Sequence, residues 1–204
     1  MKNNKRSKNF CFSVFLRNYK LVGDFFESAN EEEPLKLFFN VSYPDAEFVL
    51  RIYNGLLNIP NFKYKDFKLK RGSVRLIREK SITNNEVVFK TLSPLYIRGK
   101  DGKPLTPINE NFEIELNYIM NTVLMNYRGY GLKRDLCFTP LDLRKQIIKE
   151  KIESFIKKTG KEYMTLTVYK GAFKLFGDPE DLRDIYFLGI GFRRSEGFGM
   201  VEVV

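Results

Sequence analysis

The chain contains no histidine in 204 residues. That removes the side chain used most often as a general base and proton shuttle near neutral pH. It also removes the usual nitrogen ligand for zinc. Cysteine is almost as scarce. Cys11 and Cys137 stand alone in apolar surroundings, which predicts neither a thiolate metal site nor a disulfide framework. They read as reduced core thiols of a cytoplasmic protein. No apolar run approaches the ~18–20 residues of a membrane span. The basic start, Met1–Asn9, is followed only by a short strand-like stretch, so no secretory signal is read there. Negative charge is the last shortage. Against 35 basic residues stand 25 acidic ones, a formal net charge of +10. That excess favours a polyanion partner, and composition alone leaves RNA, DNA and acidic membrane open. No metal and no cofactor is expected.

What the chain does have is hydrophobic content, 43%, enough for one large or two small cores. It also has a segment at residues 189–199 in which four glycines, Gly189, Gly191, Gly197 and Gly199, bracket Arg193 and Arg194. Glycine reaches positive φ and lets a backbone approach a ligand closely. Exposed N–H groups and guanidinium forks both suit a phosphate. The order of elements excludes the common nucleotide-binding loops, which run from strand through glycine loop to helix. Here Asp178 and Pro179 read as the cap and first residue of a helix reaching about Leu188. The loop then leads into a strand at Met200–Val204. A plain turn is the competing reading.

Along the chain, residues 9–17 and Leu35–Ser42 read as strands. Asp45 opens a helix with Phe48, Val49, Ile52, Leu56 and Leu57 on one face, ended by Asn58–Pro60. Phe67–Arg78 alternates and predicts a strand. Val87–Arg98 predicts another, interrupted at Ser93–Pro94, and residues 100–107 form a loop. Phe112–Tyr127 predicts a helix. Arg144–Phe155 is open between helix and long strand. A turn at Thr159–Lys161 precedes an alternating segment, Tyr163–Phe176, which suggests a hairpin. From Val87 the order is β-α-β-β-α-β, the split βαβ or ferredoxin-like order. The first half reads only as β-β-α-β. Lysines and arginines between Lys63 and Lys80 predict one basic strand face, with an ordinary solvated face as the alternative. Tyr127–Arg134 mixes aromatics with cations and reads either as a base-stacking loop or as a helix cap followed by a turn.

Four segments together, Phe10–Ser13, Thr91–Leu95, Tyr169–Phe173 and the glycine loop with its closing Met-Val-Glu-Val, resemble the CRISPR repeat-processing endoribonucleases of the RAMP superfamily. The resemblance implies an α+β protein of two tandem ferredoxin-like domains. We expect them at residues 1–86 and 87–204, the first incomplete at its N-terminus because the family's opening strand and helix have no counterpart. It implies binding of repeat RNA and metal-independent cutting, in which a ribose 2′-OH attacks the adjacent phosphate. That family often uses a histidine, a tyrosine and a lysine. The lysine position matches Lys8, and the histidine position falls near Lys2. A lysine, with an ordinary pKa of about 10, is a poor base at neutral pH but a good stabiliser of phosphorane charge. Lys8 is therefore the candidate catalytic residue, in that role, with Tyr19 or Tyr43 as possible companions. Lys5, Arg6, Gly189, Gly191, Arg193, Arg194, Gly197 and Gly199 are the candidate RNA-binding set. A member that binds RNA without cutting it is the alternative. Exposed edges in the first half imply either a rearranged half or a strand borrowed from a second copy, which would make a homodimer, and the family adds association with a CRISPR effector complex.

Overall fold

Glu86–Thr91 alternates buried and exposed side chains and becomes a central strand of the second half. The computed structural model describes residues 8–23, 25–64 and 67–204. Within them the elements are β1 (Cys11–Arg17), β2 (Tyr19–Val22), β3 (Phe25–Ser28), β4 (Lys36–Ser42), α1 (Ala46–Leu57), β5 (Asn61–Tyr64), β6 (Phe67–Lys70), β7 (Glu86–Thr91), α2 (Asn111–Arg128), β8 (Cys137–Glu150), α3 (Glu153–Thr159), β9 (Met164–Phe176), α4 (Pro179–Leu188), a 3-10 turn at Arg194–Glu196, and β10 (Val201–Val203).

The protein is α+β. Its second half is an antiparallel sheet in the order β10-β7-β9-β8, and the helices α2 and α4 supply the two crossovers. This is the ferredoxin-like order expected from Val87 onward. The core forms because β7 and β9 present Val87, Phe89, Phe173 and Leu175 to Leu116, Met120 and Leu124 of α2 and to Leu182, Ile185 and Leu188 of α4. Both helices are punctuated by local chemistry. The Asp178 carboxylate accepts from the Glu180 N–H at 2.9 Å, with Pro179 in the first turn. Gly129, at φ 88, ends α2 by donating to the Met125 carbonyl. The amide of Asn117 bridges α2 to the next strand, donating to the Leu136 carbonyl and accepting from its N–H.

Three expectations change. Arg144–Phe155 is strand only as far as Glu150, and that strand starts at Cys137. It pairs with β9 from Cys137↔Phe176 to Glu150↔Met164. The turn expected at Thr159–Lys161 instead closes a short helix, α3, with Gly160 at φ 70 as its cap. Phe67–Arg78 is strand only over Phe67–Lys70, which folds back on β5. Residues 71–83 have no regular structure. The cysteines also part company: Cys11 is buried and Cys137 exposed.

In the first half β1 and β4 form a two-stranded antiparallel sheet, and β2 and β3 a separate hairpin. No four-stranded sheet forms there among the described residues. The register sets Phe12 opposite Val41, Val14 opposite Phe39 and Leu16 opposite Leu37. All six share one face of the pleat, yet Val14 and Phe39 stay half exposed, and α1 buries no residue. The second half therefore holds nearly all of the core. No helix among the described residues is long and apolar enough to cross a membrane.

Candidate nucleic-acid interface

The glycine loop leaves α4 at Gly189 and returns along the Pro94–Ile97 segment. Several of its amides are spent inside the protein. Gly189 N–H donates to the Ile185 carbonyl, Ile190 to Gly199, Phe192 to Tyr96, and Gly199 to Pro94. Met200 N–H donates to the Ser93 hydroxyl at 2.8 Å, and Gly191 N–H points to the Met120 sulfur at 3.4 Å. The expectation that these amides cradle a phosphate is thereby corrected at Gly189, Gly191 and Gly199. The glycines serve closeness instead. A Cβ on Gly191 would lie 2.8 Å from the Tyr96 carbonyl oxygen, and one on Gly189 would lie 2.8 Å from Cys11 Cβ. Gly197 lies against the Phe12 ring, so the loop forms the joint between β1 and the second half.

The two arginines of the loop are used differently from one another. Arg194 is 4% exposed, and its Nη1 donates to the Leu188 carbonyl at 2.6 Å. Burial lowers its pKa to about 10, so it remains charged at neutral pH. The neighbouring Cys11 thiol is pushed up to about 12 by burial, with the Arg194 charge opposing, and stays neutral. Arg194 ties the loop together from inside and is not placed to grip a phosphate at the surface. Arg193, with φ 60, keeps its side chain 17% exposed. It bonds Glu150 at 2.9 Å and Glu196 at 2.6 Å, so part of its charge is already neutralised.

A third arginine, Arg98, absent from the sequence-derived set, lies beside the loop. Beside the loop lies a pocket of about 260 Å³ whose lining includes Tyr96, Arg98, Thr165, Leu166, Phe192 and Arg193. The Arg98 guanidinium sits over the Phe192 ring, 4.4 Å from its centroid. Tyr96 packs against Phe192 and Phe198 at 6.0 and 5.9 Å. Aromatic rings beside an exposed cation form a surface on which an unstacked base can rest. In sequence Arg98 is only the polar end of an apolar stretch. The fold alone brings Phe192 beneath it.

A second basic surface is the β5–β6 hairpin. Its register sets Lys63 directly opposite Lys68, and Lys70 opposite Asn61, so three lysines share one face. Like charges directly opposite each other destabilise a strand pair, and a polyanion relieves that repulsion. The expected basic strand face is present for Lys63, Lys68 and Lys70, whereas Arg71, Arg75, Arg78 and Lys80 lie beyond the strand; Lys65 lies outside the described residues. Lys8 is exposed, three residues ahead of β1, where Cys11 Sγ lies 3.4 Å from the Phe187 carbonyl oxygen. Tyr19 packs on Phe26 and Tyr43 on Phe48, each within its own local cluster. Lys2, Lys5 and Arg6 lie outside the described residues.

Of the two readings of Tyr127–Arg134, the structure selects the helix cap. Arg128 bonds Asp181, Asp184 and Glu180 on α4 and lies 4.2 Å from the Tyr130 ring centroid. Hydrogen bonds from Lys133 and Tyr130 hold the Glu180 carboxyl down at about 2, from its ordinary 4.5. A carboxylate depressed in the fold stabilises above its unfolded pKa and loses that contribution as pH falls through the folded one. Asp184, raised by burial against the pull of Arg128, acts with the opposite sign, so the test isolates Glu180. The melting temperature of Glu180→Gln should lie below that of the parent at pH 6. The gap should close as pH falls from about 4.5 towards 2.

Residues 77–203 match the family model described as CRISPR associated protein Cas6, C-terminal. The chain belongs to the Cas6 family. It is 26% identical over 177 residues to the CRISPR-associated endoribonuclease Cas6 of Pyrococcus furiosus, covering 82% of this chain and 61% of that protein. To CRISPR-associated endoribonuclease Cas6 1 of Methanocaldococcus jannaschii it is 26% identical over 211 residues, covering 98% and 75%. A second P. furiosus relative, an endoribonuclease-like protein Cas6, is 27% identical and is covered over 66% of its length. The chain thus spans about two thirds of the P. furiosus relatives. Among solved structures, one titled as a RAMP protein binding different RNA substrates superposes with a TM-score of 0.75 at 23% identity, covering 96% of this chain and 79% of that one. A Cas6-related protein from P. furiosus gives 0.76 at 20% identity, covering 96% and 78%. These structural neighbours establish a shared fold, and the α+β, ferredoxin-like architecture agrees with it.

Proposed function

We propose that this Cas6-family chain binds CRISPR repeat RNA and cuts precursor CRISPR RNA to release guide RNAs. The match of residues 77–203 to the family carries the reading. The lysine face of the β5–β6 hairpin and the Arg98–Phe192 pocket supply the cationic and stacking surfaces it requires. The chemistry is metal-independent transesterification. The ribose 2′-OH loses its proton and attacks the adjacent phosphorus, and the 5′ oxygen departs with a proton, leaving a 2′,3′-cyclic phosphate and a 5′-OH. Lys8 neutralises the charge that builds on the non-bridging oxygens. The absence of histidine favours a second reading, a repeat-RNA binder or ribonucleoprotein subunit without cleavage.

Incubation with end-labelled repeat RNA in EDTA separates the two. Cleavage to a cyclic-phosphate end supports the enzyme, and tight binding of intact RNA supports the silent binder. Absence of any salt-sensitive binding overturns both. If the RNA is cut, Lys8→Ala should slow cutting by about a hundredfold, the scale of one lost transition-state contact. An unchanged rate would remove Lys8 from the mechanism. Replacing Lys63 and Lys68 together by alanine should weaken binding of all RNAs alike. It should also lower the slope of log K against log salt by about 1.4, at about 0.7 per phosphate contact on single strands.

A further inference from the structure

We propose that the pocket beside the glycine loop reads one unpaired guanine, with Arg98 as the residue that specifies it. This rests on the RNA-binding reading above and adds a base preference to it. The pocket, about 260 Å³, falls below the ~300–1,000 Å³ of sites for drug-sized ligands and suits a single ring system. Its walls join apolar and aromatic groups, Pro104, Leu166 and Phe192, to the cations of Arg98 and Arg193. The apolar groups suit the face of a base, and the cations suit its acceptor edge.

The polar groups then choose the base. Arg98 is exposed, its guanidinium lies over Phe192, and it meets no carboxylate among the described residues. Its edge therefore offers N–H donors only. Guanine presents two adjacent acceptors, O6 and N7, to such a fork, whereas adenine sets its N6 amino donor against it. A carboxylate in reach would reverse that preference. Glu150, which pairs with the Arg193 at the pocket's lining, is held there by that ion pair at 2.9 Å. The Thr165 hydroxyl accepts or donates and discriminates little. A duplex hides the faces and edges used here, so the reader requires a single strand.

The test uses the intact chain and fluorescent eight-nucleotide uridine oligomers carrying one central guanine, adenine or 7-deazaguanine. The linkage beside the test base is 2′-deoxy to block cutting. Anisotropy titrations should show the guanine oligomer bound about tenfold more tightly than the adenine one. The 7-deazaguanine oligomer should fall towards adenine, because it lacks the N7 acceptor. Arg98→Ala should weaken the guanine oligomer far more than plain oligouridine, bringing the three affinities together, while leaving the melting temperature unchanged. Equal binding of all three by the parent protein would overturn the guanine assignment while the RNA-binding reading stands. So would an Arg98→Ala loss spread evenly over every oligomer, the mark of a phosphate contact. No salt-sensitive binding of any oligomer would overturn the RNA-binding reading itself, and this inference with it.

Discussion

Arg128→Ala should lower the unfolding free energy by about 3–5 kcal/mol, the scale set by removing one partner of a buried ion pair. The side chain is 9% exposed and meets three carboxylates of α4. Asp181 among them is fully buried. Arg128 also donates to the Gly131 carbonyl at 2.9 Å. Without the guanidinium, Asp181 keeps a hydrogen bond from the Lys133 N–H at 2.8 Å, but its charge loses its only cation partner among the described residues. Lys133→Ala is the internal control. It removes a neighbouring ion pair to Glu180 whose partners are 42% and 31% exposed, and such a solvent-screened pair contributes little. Urea denaturation of both variants provides the comparison. Equal shifts would mean that the α2–α4 junction does not depend on Arg128. A large loss would identify this cluster as a structural lock rather than an RNA contact.

That cluster illustrates what the sequence could and could not reveal. Arg128 and Asp181 are 53 residues apart, and nothing local signals their meeting. The start of α4 was legible because Asp178 and Pro179 act on their own helix within two residues. The second half was legible as βαββαβ because its helical periodicity and strand alternation are local patterns. β8 was ambiguous because its charged residues alternate with isoleucines, of which Ile147 ends up 59% exposed. The resulting pattern lacks the clear apolar face that identifies a strand. For the site, the sequence singled out the glycine loop and expected its amides to face a phosphate, whereas many of them turn inward. Glycine and arginine density marks close approach and charge without revealing what approaches. Here the approaching partners are the protein's own carbonyls, Cys11 and Phe12. The Arg98–Phe192 pair was invisible because its members are brought together only by the return of the loop along Tyr96.

The use of glycine for closeness makes Gly199→Ala the other large effect. Gly199 has φ 68, and a Cβ there would lie 1.9 Å from the Ile190 carbonyl oxygen. That carbonyl belongs to the residue whose N–H donates to the Gly199 oxygen at 2.8 Å, so neither strand of the loop can give way without opening it. Gly160 is a matched comparison, because it has nearly the same φ, 70, and a Cβ added to it would meet nothing within 4 Å. Alanine at Gly160 should cost about 1–2 kcal/mol for the left-handed backbone alone. Alanine at Gly199 carries that cost plus the steric one, about 2–5 kcal/mol together. It should also displace Phe192 and weaken RNA binding, whereas Gly160→Ala should leave binding intact. Denaturation midpoints and anisotropy on the same two variants test both halves of the statement. If Gly199→Ala were no more costly than Gly160→Ala, the loop would have to be far more yielding than its internal hydrogen bonds imply. The pocket it shapes would then lack the fixed wall on which base reading depends.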